Sequence, residues 1–436
     1  HPPGDWAMFV FGLLGSIPLI AFITRVLFDS DSAMLVASIE YVRHQDWRFL
    51  IHTQQNYLPH VVMGPILAIG GIPSVKLFTI LTLQSLAGVV SLITWKVTRS
   101  GLAALASVAA LLSFGGIVER TAFLPMYPMM LALGYAGTFL AYRAIVSESR
   151  RRTVFAAFAG LSLALSPEAQ PVGQIFILLP ALLVLGTGFR RALPALIRVY
   201  LSLVVFLLPR VIINLSEGGL SHVLSYRVDF WITKGYLIEI QKDFFRYPLR
   251  LSYPDYFLQF LTHAPRITGW LGLVVVLLAV LGLLMAPANF RRFGAVAGAY
   301  FLAPFLLARG PFFPRYFSPL LVGVALAAGM AIAGLVGGRW RLRRVAGGLV
   351  AVLCIFAIVN LSRTLSEVQR RQATVLNGPY RELASRITDG KGVIGARSLY
   401  LLFVDPEVRT YGGEFLSERE YVTYLTWPSD EAVIRV

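Results

Sequence analysis

The sequence predicts an all-α polytopic membrane protein of about eleven transmembrane helices. Three observations carry that expectation. Hydrophobic residues make up 56% of the 436-residue chain and charged residues only 14%, against about 25% charged in soluble domains. Mean hydropathy is +0.68. The apolar residues are also gathered into blocks such as GWLGLVVVLLAVLGLLMAPA, Gly269 to Ala288, and roughly twenty such residues cross a bilayer core.

Taken in order, spans are expected near residues 6–27, 75–95, 101–117, 122–143, 153–165, 172–189, 193–213, 267–287, 293–308, 316–337 and 345–361. The first run is too long for the apolar core of a signal peptide and lacks a small-residue cleavage site. The stretch LPHVVMGPILAIGGI, residues 58–72, is too short for a span and reads as an interfacial helix. Cys354, the single cysteine, falls inside an expected span, so no intrachain disulfide can form.

The net charge is +16, and its placement decides its meaning. Of the 39 basic residues only Lys76, Lys96, Lys234, Lys242 and Lys391 are lysines, an arginine bias that fits a GC-rich bacterial genome. With eleven spans, the clusters Lys96/Arg99, Arg150–Arg152, Arg190/Arg191, Arg291/Arg292 and Arg339, Arg341, Arg343, Arg344 share one side. The positive-inside rule makes that side the cytoplasm, and the clusters read as topology determinants, not as a nucleic-acid surface. Residues 28–74, 118–121, 166–171, 214–266, 309–315 and 362–436 then lie outside with most of the acids, histidines and aromatics. Chemistry is expected on that face of a bacterial cytoplasmic membrane.

The first outer segment opens with FDSDSAMLVASIEYVRHQDW, where Asp29 and Asp31 stand just after the first span. Either aspartate fits an N-cap of the following helix. The same position would keep a carboxylate ionised in the helix dipole, so capping and a catalytic role are compatible. Gln55-Asn56-Tyr57 and then Gly70-Gly71 follow. This order resembles the first extracytoplasmic loop of the GT-C superfamily, membrane glycosyltransferases that use polyprenyl-phosphate-linked sugars and include protein O-mannosyltransferases and lipid A aminoarabinose transferases. The family usually flanks its Gln with Gly and Pro, where this chain has Gln54 and Asn56. LLPRVIINLSEGG, Leu207 to Gly219, and PFFPRYFSPLL, Pro311 to Leu321, resemble later family motifs.

The resemblance implies an inverting glycosyltransferase acting on an acceptor hydroxyl in cell-envelope biogenesis. Asp31 would be the general base, with Asp29 as the alternative. Glu119, in GIVERTAF, is either a second acid facing the site or half of a solvated pair with Arg120. Glu168, in LSPEAQPV, either lines the cavity or is a turn residue. The carrier phosphate would be held by Arg315, then Arg309 and Arg266; headgroup snorkelling, as for Arg25, is the other role open to each. Gln55, Tyr57 and His263 would contact substrate. The aromatic-rich segment 214–266 is expected to form a long loop over the site, where rings stack on sugars or anchor at the interface.

No cofactor is expected. His44, His52 and Asp46 do not have the ligand number or spacing of a closed zinc site, although a divalent metal is not excluded. GKGVIG, Gly390 to Gly395, fits a dinucleotide pattern but follows a helix-like segment instead of a strand. The expected partners are a polyprenyl-linked donor, a lipid, polysaccharide or protein acceptor, and membrane lipid; nucleic acid is not among them. Residues 1–361 form the expected transmembrane catalytic domain and 362–436 a small extracytoplasmic α/β domain. The start without Met and the end in DEAVIRV, mid-strand, predict a trimmed chain. A transporter or flippase is the alternative. It would place ionisable groups within spans and show internal repeats, whereas the acids noted here fall in outer segments and no repeat is visible.

Overall fold

The computed structural model describes residues 4–15, 57–114, 117, 126–232, 252–308, 317–337, 340–376, 393–394 and 410–411. These residues are almost wholly helical. In chain order the helices are α1 (Asp5–Gly15), α2 (Tyr57–Thr98), α3 (Gly101–Leu112), α4 (Met126–Val146), α5 (Ser149–Ala169), α6 (Ile175–Leu182), α7 (Val184–Thr187), α8 (Phe189–Ile232), α9 (Tyr253–Met285), α10 (Ala288–Ala308), α11 (Ser318–Val336) and α12 (Trp340–Leu376). A 3-10 turn, Pro171–Gln174, joins α5 to α6. Strands β1 (Val393–Ile394) and β2 (Thr410–Tyr411) pair in parallel.

The expected spans 75–95, 153–165, 193–213, 293–308 and 345–361 each lie on one helix, whereas 172–189 is divided between a 3-10 turn and two short helices. Five segments, Leu77–Thr98, Met126–Val146, Phe189–Ile212, Ser318–Val336 and Leu342–Arg363, are long and apolar enough to cross a membrane, and Gly101–Leu112, Val172–Thr187 and Gly272–Met285 are shorter apolar helices. The protein is therefore a multi-pass membrane protein. Helices prevail because lipid offers no hydrogen-bond partner to peptide groups, so each segment must satisfy its own.

Two expectations about the polar segments need correction. Residues 58–72 are not a separate interfacial helix: α2 runs unbroken from Tyr57 to Thr98, through Gly70-Gly71 and Pro73. At 1.5 Å per residue it measures about 63 Å, twice a bilayer core. Residues 214–266 are not a plain loop, because 214–232 continue α8 and 253–266 begin α9. The tail after residue 361 starts as helix, α12 continuing to Leu376. Proline removes one ladder bond, which a long helix absorbs more readily than it gives up the whole ladder. Beyond α12 the tail is described only at β1 and β2. β1 covers Val393–Ile394 within GKGVIG.

The basic clusters sit at five tight connections of one to three residues: α2–α3, α4–α5, α7–α8, α9–α10 and α11–α12. Between α7 and α8 the whole turn is Gly188, whose φ of 85° a side chain would resist. Several arginines here also cap helices. Arg152 donates from Nε and Nη2 to the Ser147 carbonyl at 3.2 and 3.1 Å, and Arg343 from Nε to that of Val336 at 2.9 Å. A cation on the last carbonyls of a helix satisfies orphan acceptors and complements the dipole.

The closest packed pairs are α4 with α5, α9 with α11, α8 with α5, and α1 with α2. Small residues permit the approach, as is usual where lipid supplies no hydrophobic drive between helices. A Cβ on Gly282 of α9 would run into the Ala327 carbonyl of α11, and one on Gly160 of α5 would lie 2.6 Å from the Leu203 nitrogen of α8. Side chains also bond between helices. Ser91 Oγ donates to the Met8 carbonyl at 2.8 Å, Ser166 Oγ to that of Met130 at 2.9 Å, and Asn360 Nδ2 to that of Leu112 at 3.1 Å.

Gly282→Val is expected to destabilise the bundle by about 1–3 kcal/mol through overpacking, read as a lower melting temperature in detergent. Gly348→Val, at a site with open space around the Cβ, should leave the melt within about 1 kcal/mol of wild type.

Candidate functional site

Six of the sequence-predicted site residues, Asp29, Asp31, Gln55, Glu119, Arg309 and Arg315, lie outside the described residues, as do His44, Asp46 and His52. Tyr57 is the first residue of α2. His263 and Arg266 lie three residues apart in the N-terminal half of α9. Among the described residues no three His, Cys, Asp or Glu side chains gather as a metal site.

Glu168 is fully described, and it is not a turn residue. It occupies the last turn of α5, which passes through Pro167 and ends only at the cap Gln170. Its carboxylate Oε2 is 3.9 Å from Nη1 of Arg210 on α8, and both residues are more than nine-tenths buried. That separation is an ionic contact, beyond hydrogen-bond range. The 3-10 turn folds back over this end of α5, where Gly173 sits so close to Ser166 and Pro167 that a Cβ would meet their backbone at 2.5–2.7 Å. Gln174 ends the turn, buried, with Nε2 lacking an acceptor among the described residues.

Arg210 faces inward because α8 has two faces. Ile197, Leu201, Val204, Val205, Leu208 and Ile212 are exposed apolar residues on one side, at the spacing of a lipid-facing stripe. Ala192, Ala195, Val199 and Leu203 are buried on the other, and Arg210 follows Leu203 by seven residues in that register. Sequence reasoning passed over it. The available signal was an arginine set in FLLPRVII, some twenty residues from the basic end of its helix; ionisable groups in spans are rare enough to mark a function by default.

Within the same bundle lies an apolar cavity of about 230 Å³. Its walls come from α2, α4, α6, α9, α10 and α11, with Tyr135, Phe139, Leu179, Leu283, Phe293 and Met330 among the lining residues and no charged side chain. Two hydroxyls in the wall are already engaged: Tyr135 donates to the Pro319 carbonyl at 2.5 Å and Thr138 to that of Gly134 at 2.9 Å. The cavity can therefore hold a ligand of carbon chains and offers little to a polar one.

Depth relates the cavity to the charged pair. Val97, Tyr142 and Phe290 line the cavity beside the tight basic connections, and Leu320 lies about 24 Å along α11 from its basic end. Glu168 and Arg210 lie about 28 and 32 Å along α5 and α8 from theirs. The pair thus lies one hydrocarbon-core thickness, roughly 30 Å, from the basic connections, and the cavity lies between.

No family model and no curated protein matches the sequence. The structure, however, is similar to solved ones. ArnT from Cupriavidus metallidurans, solved bound to undecaprenyl phosphate, matches with a TM-score of 0.65 at 12% identity, over 96% of this chain and 87% of that one. The archaeal oligosaccharyltransferase AglB from Archaeoglobus fulgidus, in complex with an inhibitory peptide and a dolichol-phosphate, matches at 0.52 and 13% identity. That match covers 96% of this chain and 65% of AglB. The chain has the GT-C fold. The resemblance drawn from the first outer segment thus agrees with the architecture of the rest of the chain. At these identities the likeness is one of fold and assigns no residue a role.

Gly298 of α10 lines the cavity with nothing within 4 Å of a Cβ built on it. Gly298→Leu is expected to fill the space and, by removing a mid-helix glycine, stabilise the protein by about 1 kcal/mol. A melt in detergent checks it; a fall of that size would mean that the space is not free.

Proposed function

We propose that the protein is an inverting glycosyltransferase that moves a sugar from a polyprenyl-phosphate carrier to an acceptor hydroxyl, on the extracytoplasmic side of a bacterial cytoplasmic membrane, in cell-envelope biogenesis. The observation that carries this is the fold match over 96% of the chain to ArnT, solved with undecaprenyl phosphate, and to the oligosaccharyltransferase AglB, solved with a dolichol-phosphate. The uncharged cavity supports it further, since a polyisoprenoid tail is the kind of ligand such walls would take.

In this mechanism Asp31, or failing it Asp29, takes the proton of the acceptor hydroxyl as its oxygen attacks the anomeric carbon. The carbon–oxygen bond to the carrier breaks, and its electron pair leaves on the phosphate. Arg315, Arg309 and Arg266 would receive that charge, because planar guanidinium groups pair with phosphate oxygens in two-point contacts. Glu119 would be a second acid at the site, and Gln55, Tyr57, His263 and Glu168 would contact donor or acceptor. No cofactor enters the scheme. A single displacement inverts the configuration at the sugar carbon.

One observation favours the other reading, a transporter or flippase for a lipid-linked or small polar substrate. Glu168 and Arg210 are ionisable groups inside the bundle, where transporters place them.

Radiolabelled sugar on polyprenyl phosphate, supplied to purified protein with membrane extract as acceptor, is the test. Wild type is expected to pass label to a product. Asp31→Asn should lower the rate by about 10²–10⁴-fold with an unchanged melt. Undiminished transfer by that variant would remove Asp31 as the base. Movement of the lipid-linked sugar across vesicles without any label transfer would favour the transporter.

A further inference from the structure

Arg198 stands within a span and is not one of the connection arginines. It lies about 14 Å along α8 from Phe189, where that helix starts, and an arginine at such a depth is costly unless something meets its charge. Its Nη1 donates to Oγ1 of Thr153 on α5 at 3.1 Å. Thr153 is only about 6 Å along α5 from Ser149, so the side chain is drawn back towards the basic connections, as a snorkelling arginine is. The hydroxyl it meets carries no charge. Among the described residues no carboxylate pairs with Arg198, and the sequence nearby has little to offer. Segments 147–153 and 186–198 hold Arg150, Arg151, Arg152, Arg190, Arg191 and Arg198 against a single acid, Glu148.

The surface around this bond is ordered by helix geometry. α5 and α8 both start at basic connections and touch closely beyond the bond, where a Cβ on Gly160 would meet Ser202 and Leu203 at 2.5–2.6 Å. Arg191 and Arg198 are seven residues apart, two turns along one side of α8, and both are exposed. Leu201 and Val205 continue that side of the helix, and Val154 follows Thr153 on α5; all three are exposed apolar residues. Phe189–Ile212 is long and apolar enough to cross a membrane, so what covers this side of it is lipid. Positive charge at one end of an apolar strip fits a lipid with an anionic head.

We propose that the seam between α5 and α8 binds an anionic phospholipid of the leaflet at the basic connections, with its phosphate on Arg198 and an acyl chain along Leu201, Val205 and Val154. Thr153 positions the guanidinium by taking one of its five N–H donors, and the rest of the fork remains for phosphate oxygens. Arg191 adds charge beside the head. A phospholipid suits this surface better than free phosphate, because the arginine opens onto apolar side chains and not into an enclosed polar pocket. The site is separate from the proposed reaction and does not rest on the glycosyltransferase reading.

The test is lipid binding to the delipidated full-length protein in detergent, counted by native mass spectrometry. The probes are dioleoylphosphatidylglycerol and dioleoylphosphatidylcholine, which share tails and a phosphodiester and differ in net head charge. Wild type is expected to hold the anionic lipid about tenfold more tightly. A basic residue beside an anionic head is worth about fivefold, so Arg198→Leu should remove most of that preference and leave phosphatidylcholine binding as it was. Arg198→Lys, which keeps the charge but loses the forked geometry, should fall between. Thr153→Val, which frees the guanidinium from its place, should weaken phosphatidylglycerol by about twofold. Arg343→Leu is the control: it lies on α12, which packs against α3 and α11, and it should keep the full preference.

An equal loss in Arg343→Leu would make the preference a diffuse effect of net charge and overturn the site. Arg198→Leu and Arg198→Lys proteins that keep the wild-type preference would overturn it as well, and so would a folded wild type with no preference at all. Should Arg198→Leu fail to fold, Arg198→Lys and Thr153→Val still decide the matter. Displacement of bound phosphatidylglycerol by inorganic phosphate at the same concentration would assign the arginines to a free anion. Displacement by geranylgeranyl phosphate at a lower concentration than phosphatidylglycerol itself would assign the surface to a carrier lipid. Either result would overturn the phospholipid site. None of these outcomes alters the sugar-transfer assay, which stands or falls by itself.

Discussion

Every peptide group that lies in lipid must find its hydrogen bond within the protein, and one segment obeys this rule less well than a plain helix. The segment from Pro171 to Thr187 is a 3-10 turn, a short helix containing Pro180, and a further turn of helix. Pro180 cannot donate to the ladder. Tyrosines from neighbouring helices bond to carbonyls of this segment: Tyr300 to Ile175 at 2.9 Å and Tyr200 to Ile177 at 3.0 Å. Phe176 between them is fully buried and meets Tyr135 and Phe301 edge-on, with centroids 5.2 and 6.0 Å apart. A segment unable to hold itself together as a plain helix is thus braced by α4, α8 and α10.

That bracing connects the two halves of the candidate site. Gln174 lies at one end of the braced segment, and Leu179 and Leu183 line the cavity towards the other. Gly134 on α4 makes room for the Phe176 ring, so the position of α6 is fixed by ring packing as well as by hydroxyls. A regular helix of ordinary length in its place would have carried the polypeptide straight past the end of α5. The 3-10 turn instead lays Gly173 on the backbone of Ser166 and Pro167, which encloses the end of α5 where Glu168 meets Arg210.

The fold class, the helix positions and the basic connections were legible because each rests on a local pattern of about twenty residues. What was not legible depends on where helices stop and which way they face. GGIP at residues 70–73 and SPEAQP at 166–171 read as breaks, since glycine and proline usually punctuate, yet α2 and α5 run through Pro73 and Pro167. Intrahelical bonding outweighs those local preferences. Arg210 escaped notice because hydropathy averages over both faces of α8, and only the alternation of exposed Leu201 and Leu208 with buried Val199 and Leu203 shows that the arginine points inward. Glu168 leaves two roles open in the sequence, because its partner Arg210 is some forty residues away.

The arginines therefore divide into populations that a net charge of +16 conceals. Those at the tight connections sit beside helix C-termini, where Arg152 and Arg343 bond to carbonyls that the preceding helix leaves open. Four helices, α2, α8, α9 and α12, measure about 63, 66, 50 and 56 Å and outrun a bilayer core. In each case the excess lies at the end opposite the basic connection. All four extensions therefore lie on the face opposite the basic connections. Glu168 and Arg210 stand at the level where those extensions begin. The described connection arginines are mostly exposed at helix ends, whereas Arg210 is buried on a helix face beside a carboxylate. A charge held that way is costly to keep in a membrane, and the carboxylate of Glu168 beside it offsets part of that cost.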